Sequence, residues 1–172
     1  LLGASERRGA YECHVPLESL CLGCCLLSGA DGQLGRAILR AAFDVRVIAL
    51  VRRDLDVTIR DDVHEAVAAH RPAVLVNCAA WRDVDGHELD PSRARQINVD
   101  APTFLREACD ATGTHLVHIS TDFVFDGARD RPYPESHPTG PLNVYGTTKL
   151  EGELAVGPSA TVVRTSWLQD SV

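Results

Sequence analysis

A tyrosine and a lysine four residues apart, in Tyr145-Gly146-Thr147-Thr148-Lys149, fall on one face of a helix. Placed beside a nicotinamide, that pair can deliver a proton to a carbonyl as a hydride arrives. The phenol would be the general acid in reduction and the general base in oxidation. Its unperturbed pKa of about 10 is expected to be lowered by the Lys149 ammonium one turn away, which can also hold the nicotinamide ribose. Thr121, in Ser120-Thr121-Asp122 at the end of an apolar run, is placed to hydrogen-bond the substrate carbonyl. Taken alone, such a hydroxyl reads as a turn cap, and most Tyr-x-x-x-Lys pairs are chance surface neighbours.

Context upstream changes that weighing. Gly29, Gly32 and Gly35 make G-x-x-G-x-x-G between an apolar run and a helical pattern. The first glycine permits a tight turn, the second lets the backbone approach a pyrophosphate, and the third lets helix and strand pack closely. The phosphates would sit over the helix N-terminus, where free N–H groups and the dipole favour anions. After the second strand the chain reads Val51-Arg52-Arg53-Asp54. Arg52 and Arg53 either hold a 2′-phosphate, favouring NADP(H) over NAD(H), or form a solvated charge cluster. Asp56 and Val57 are placed to flank an adenine. Asn98 can satisfy backbone groups beside the sheet and anchor a water leading to Lys149, or simply be a buried helix Asn.

The elements that must position these groups alternate strand and helix. Strands are expected at Leu22–Ser28, Val45–Val51, Ala73–Ala79, Leu116–Ser120 and Ala160–Thr165. Helices are expected at Gln33–Phe43, Asp61–His70 with Thr58 as its cap, Pro91–Asn98, a new start or kink at Pro102 running to Ala111, and Asn143–Val156. Residues 81–90 read as a polar loop. The Pro-rich stretch from Asp126 to Leu142 reads as a long loop, functional or mobile. Strands apolar on both faces imply an α/β doubly wound parallel sheet of Rossmann type, with the ligand at the strands' carboxyl ends.

Composition narrows the partners. The 172 residues carry a net charge of −7 with basic residues scattered, which argues against nucleic acid or an anionic membrane surface. No apolar run reaches the roughly 20 residues of a membrane span. Cys21 and Cys24 form a CxxC near His14, yet no second CxxC follows, and Cys78 and Cys109 read as small core residues. No metal site is expected, and the protein reads as reduced and cytoplasmic. Arg7, Arg8 and the apolar Leu20–Leu27 mimic a signal peptide, but that run leads into the glycine turn and serves better as a first strand. Residues 1–20 are expected to be an irregular lead-in, and 21–172 an NAD(P)-binding domain.

These motifs together resemble the extended short-chain dehydrogenase/reductases, and within them the dTDP-4-dehydrorhamnose reductase family. The matching segments are Gly29-Ala-Asp-Gly-Gln-Leu-Gly35, Leu55-Asp-Val-Thr58, Val76-Asn-Cys-Ala-Ala80, Ile97-Asn-Val-Asp-Ala-Pro102, His118-Ile-Ser-Thr-Asp-Phe-Val-Phe-Asp-Gly127, Pro141-Leu-Asn-Val-Tyr-Gly-Thr-Thr-Lys149 and Arg164-Thr-Ser-Trp167. The resemblance implies NADPH- or NADH-dependent reduction of the 4-keto group of a dTDP sugar to dTDP-L-rhamnose or a similar product. By position it implies that Gly32, Gln33 and Leu34 line the pyrophosphate and that Ala79, Ala80 and Trp81 lie against the coenzyme. It further implies that Thr121 and Asp122 face the sugar, that Tyr145 donates the proton, and that Trp167 packs on the sugar ring. A homodimer is compatible with it. Departures fall on the substrate side: Phe123 stands where Tyr is common, Trp81 where a small residue or imidazole is usual, Arg82 where Thr is usual, and Trp167-Leu-Gln-Asp170 where Trp-x-Tyr-Gly is expected. Family members continue into a smaller substrate domain beyond this end, so weak coenzyme binding and poor turnover are expected of this chain. Two other readings use the same motifs: a non-catalytic NADP-binding regulatory subunit like the methionine adenosyltransferase beta subunit, and an epimerase or dehydratase that returns its hydride.

Overall fold

The structure, a computed structural model, describes residues 23–42 and 44–168. The lead-in 1–20, the CxxC partner Cys21, His14, Phe43 at the end of the first helix, and Gln169-Asp170 lie outside those residues. Five short strands rich in Val and Leu, β1 (Cys25–Ser28), β2 (Val47–Leu50), β3 (Val74–Asn77), β4 (His115–Thr121) and β5 (Thr161–Thr165), form one sheet in the order β2-β1-β3-β4-β5. Every pairing is parallel. The helices are α1 (Gln33–Ala41), α2 (Arg60–His70), α3 (Val84–Leu89), α4 (Pro91–Arg95), α5 (Ala101–Thr112) and α6 (Val144–Val156). None among the described residues is long and apolar enough to cross a membrane.

Burial decides which helices face the sheet. Leu26, Leu75 and Leu116 of the strands pack in one cluster with Val63 and Val67 of α2, Leu105 and Ala108 of α5, and Val156 of α6. Each fully buried Leu or Val contributes roughly 1.5–3 kcal/mol over exposure. Leu27, next to Leu26, points to the opposite face and is also buried. The chain passes from β1 to β2 on one side and then to β3 on the other. That reversal opens a crevice at the carboxyl ends of β1 and β3, the usual ligand position in open parallel sheets.

Four local expectations are corrected. Residues 84–89 form α3 rather than loop, because the Asp83 carboxylate accepts from the Gly86 N–H at 2.9 Å and caps it. Thr58 does not cap α2: its hydroxyl donates to Asp56 Oδ1 at 2.7 Å, and Ile59 holds the cap position. β2 begins at Val47 instead of Val45, which is exposed. The chain also stays helical through Pro102, with a π-helical turn over Gln96–Asp100. Pro102 has no N–H for the Asn98 carbonyl. That carbonyl abuts Gly152 of α6, where any side chain's first carbon would sit 2.0 Å from it. The stretch 126–142 is tied down at several points. Tyr133 stacks on Phe125 with ring centres 4.3 Å apart and donates to Asp126 at 2.7 Å.

Candidate active site

A cavity of about 700 Å³ opens at the carboxyl ends of β1, β3 and β4. Its floor is a buried polar relay. Ser28 donates to Asn77 Oδ1 at 2.8 Å, the Ala79 N–H donates to the same oxygen at 3.2 Å, and Asn77 Nδ2 lies 3.2 Å from His118 Nδ1. Since Asn77 Nδ2 can only donate, His118 Nδ1 accepts and the imidazole is neutral. Burial, together with the nearby Lys149 charge, pushes His118 down to about 3. The unfolded chain takes a proton near the ordinary value of 6.5, so stability is lost as pH falls through 6.5 towards 3. Urea unfolding is expected to show a loss on the order of 3 kcal/mol between pH 7 and pH 4 that His118→Gln largely removes. An equal loss in both proteins would place the acid sensitivity elsewhere.

Above the relay, Gly29 turns the chain at φ 67°, and a side chain there would meet Ala79 N at 2.7 Å. A side chain at Gly35 would meet the Gly29 carbonyl at 2.5 Å and Ala30 Cα at 2.8 Å. The turn is therefore pressed against both the end of β3 and the start of α1, leaving the α1 N-terminus facing the cavity. Gly32 is the N-cap residue of α1 and makes no side-chain cap bond, so its first N–H groups remain available. Gln33 Nε2 donates to the Leu168 carbonyl at 2.9 Å, tying the segment after β5 to this end of α1.

Gly29, Gly32, Gln33, Leu34, Arg52, Asp56, Val57, Ala79, Ala80, Trp81, Thr121, Asp122, Tyr145, Lys149 and Trp167 all line this cavity. Gly35 and Asn98 do not. Gly35 acts through packing. Asn98 is buried and donates to the Thr148 hydroxyl at 3.0 Å, which ties the π-helical turn to α6. Arg52 pairs with Asp56 at 3.2 Å. Partial burial works against ionisation of Asp56, but bonds from Thr58 and Arg52 win and hold its carboxyl below the usual range.

Tyr145 and Lys149 sit on α6, capped by Asn143, which accepts from the Gly146 N–H at 2.7 Å. Lys149 is the single lysine of the sequence. It is 4% exposed, and its Nζ donates to the Ile119 carbonyl at 2.7 Å. An ammonium has three donors, and Nζ can turn the others to the cavity. Burial pushes Lys149 down to about 8, against the pull of Glu153. The phenol behaves differently from the sequence expectation. Burial holds Tyr145 above its ordinary value, with the Thr121 hydroxyl pulling down and Asp122 pushing up. A proton donor is thus stored in its protonated form.

A helix read as loop brings the residues that brace this phenol. His87 of α3 is fully buried. Its ring meets Tyr145 edge-on at 5.0 Å and stacks on Trp81 at 4.4 Å, while its Nδ1 lies 2.6 Å from the Asp83 carbonyl. Phe123 contacts the other side of Tyr145 edge-on at 5.5 Å. The Arg93 guanidinium lies over the Trp81 ring at 4.3 Å. With one face on His87 and the other under Arg93, Trp81 offers the cavity its edge. The signal for this cluster was Asp83 three residues before Gly86, a helix cap. Trp167 borders the cavity with 84% of its surface exposed. Cys78 also lines it, with a thiol that burial pushes up to about 11 and makes unreactive.

Residues 24–171 match the model of the RmlD substrate binding domain. The chain belongs to that family. It is 49% identical over 150 residues to a dTDP-4-dehydrorhamnose reductase of Streptomyces griseus, covering 83% of this chain and 49% of that protein. It is 45% identical over 150 residues to a dTDP-4-keto-6-deoxy-D-glucose reductase of Streptomyces niveus, covering 83% and 52%. The dTDP-4-dehydrorhamnose reductase of Bacillus anthracis, whose crystal structure is a complex with NADP, superposes with a TM-score of 0.82 at 34% identity, covering 86% of this chain and 54% of that one. The chain thus spans about half the length of the curated relatives it matches. Trp81, Arg82 and Phe123, the expected departures from the family pattern, all line the cavity, and Trp81 and Phe123 help brace Tyr145.

Proposed function

We propose that this chain is the coenzyme-binding and proton-donating part of an NADPH-dependent reductase of the 4-keto group of dTDP-4-dehydro-6-deoxy sugars. The observation that carries it is the convergence of Thr121, Tyr145 and Lys149 on the cavity that the glycine turn also borders. The reductases named above, one of them crystallised with NADP, support the coenzyme and the substrate class. Bound there, the coenzyme would supply the hydride.

The chain's own groups do the rest. The backbone N–H groups at the start of α1 hold the pyrophosphate. The free donors of Lys149 Nζ hold ribose hydroxyls while Ile119 fixes the ammonium's position. The Thr121 hydroxyl and the Tyr145 phenol hydrogen-bond the 4-keto oxygen. As negative charge grows on that oxygen the phenol passes its proton, giving the alcohol. The described Cys24, Cys25, Cys78 and Cys109 are free thiols, in keeping with a reducing cytoplasm.

Arg52 gives the coenzyme preference its physical basis. Its guanidinium borders the cavity, 73% exposed, in reach of a 2′-phosphate, and Asp56 steadies it. Arg52→Ala is expected to weaken NADPH about tenfold and NADH less than about twofold, read by quenching of protein fluorescence. Equal weakening of both would remove the 2′-phosphate contact.

The reductase reading is tested by NADPH oxidation when a dTDP-4-dehydro-6-deoxy sugar is added, one coenzyme per sugar reduced. An epimerase or dehydratase would return the hydride and give no net oxidation. A regulatory subunit would give none either and would co-purify with a synthetase.

A further inference from the structure

Glu153 belongs to α6, two turns past Tyr145 and one past Lys149. Its side chain is 8% exposed. A carboxylate so buried is costly unless its oxygens are occupied. Here they are: the Ser120 hydroxyl donates to Oε1 at 2.5 Å, and Arg164 of β5 clamps both oxygens, Nε to Oε1 at 2.9 Å and Nη2 to Oε2 at 2.6 Å. Ser120 directly follows Ile119, whose carbonyl takes Lys149 Nζ, and directly precedes Thr121. Two successive turns of α6 therefore hook two successive residues of β4. That strand end and that helix carry the three groups assigned to proton transfer.

We infer that Glu153 is a positioning residue, locking α6 to the end of β4 through Ser120 and supplying the buried counter-charge to Lys149, a role that rests on the reductase reading of the site. Without the lock, α6 loses one of the two side-chain hooks, Glu153 on Ser120 and Lys149 on Ile119, that hold it to the end of β4. A small slide of the helix then carries the Tyr145 oxygen away from the hydroxyl of Thr121. Proton transfer is sensitive to such sub-ångström displacement, whereas coenzyme binding at the glycine turn is not. Arg164 holds the carboxylate, which lies one helical turn from Lys149, and its own cation lies over the Phe125 ring at 5.0 Å. The Glu153 bond also holds Arg164 above its ordinary value.

The other charged groups around α6 are engaged elsewhere. His118 of β4 is neutral at ordinary pH. Asp122, after β4, bears on Tyr145. Glu88 of α3 accepts from the Val144 N–H, Arg95 of α4 pairs with Glu151, and Arg106 of α5 donates to the Val156 carbonyl. Glu153 is the acidic group that acts on Lys149.

Because Lys149 is the single lysine, lysine labelled with carbon-13 at Cε gives one side-chain signal, which reports its protonation in the coenzyme-free protein. Glu153→Gln is expected to lower the titration midpoint by about one unit, since loss of an adjacent opposite charge destabilises the ammonium. Arg164→Met, which leaves the carboxylate to Lys149, is expected to raise it. Glu153→Asp keeps the charge but is too short for Ser120, so the midpoint should stay while kcat falls about tenfold and KM for the sugar changes less than about twofold. In Glu153→Gln the alkaline limb of the kcat profile should move down with the midpoint. Midpoints that do not move in the Gln and Met variants overturn the counter-charge, and unchanged kcat in the Asp variant overturns the lock. If the unmodified protein reduces no keto sugar, the reductase reading fails while the titration still judges the counter-charge.

Discussion

Tyr145→Phe is expected to lower the rate of keto-sugar reduction about a thousandfold and leave coenzyme affinity within about twofold. The substitution removes one oxygen. The ring keeps its edge contacts with His87 and Phe123, so α6 and the cavity wall stay in place. What is lost is the proton. Thr121 cannot substitute, because an alcohol is a far weaker acid than a phenol. The pH dependence sharpens the expectation. Burial keeps Tyr145 above its ordinary value of 10, so the donor stays protonated throughout the neutral range and imposes no limb on the rate there. Steady-state NADPH oxidation, with coenzyme binding measured separately, checks both halves. A loss of less than about tenfold would mean that the proton comes from water.

Lys149→Met should give an opposite pairing of effects: less activity and more stability. The variant is expected to lose about a hundredfold in turnover and about tenfold in coenzyme affinity, because no other described side chain offers an ammonium at the cavity floor. Yet the ligand-free protein should be more stable by about 2 kcal/mol at pH 7. The folded state carries Lys149 near 8 against 10.5 in the unfolded chain, a penalty of roughly 3 kcal/mol offset by the lost bond to Ile119, worth about 1. Removing Lys149 leaves no orphaned charge, because Glu153 keeps Ser120 and Arg164. The sign with pH follows. Between pH 8 and 10.5 the unfolded chain binds more protons than the folded one, so stability of the unmodified protein rises through that window, while the Met variant stays flat there. Urea unfolding at pH 7 and pH 10 tests this. A Met variant less stable than the unmodified protein at pH 7 would show that Lys149 is a structural residue.

The backbone plan was legible in the sequence for a physical reason. The short strands of a parallel sheet are written as unbroken apolar runs, and the glycine turn is written as glycines because Gly29 and Gly35 have backbone where a side chain would go. The Tyr145 and Lys149 spacing likewise needs only helix geometry. What escaped was set by contacts between distant segments. Asn98 could be placed on its helix, but its partner Thr148 lies 50 residues away. The brace of His87 against Tyr145 depended on a short helix whose polar sequence resembles a loop. The upward shift of the Tyr145 phenol was invisible because it depends on how deeply α6 packs. Glu153 gave no sign in sequence, since a Glu in a helix is usually solvated. Only the approach of Ser120 and Arg164 makes it a buried group.

The most direct test is a crystal structure of this chain with NADPH bound. The account predicts the pyrophosphate over the glycine turn, a ribose hydroxyl on Lys149 Nζ, and the nicotinamide ring beside the Tyr145 phenol and the Thr121 hydroxyl. A coenzyme bound with its nicotinamide away from Tyr145, or with Lys149 still engaged only by Ile119, would contradict it.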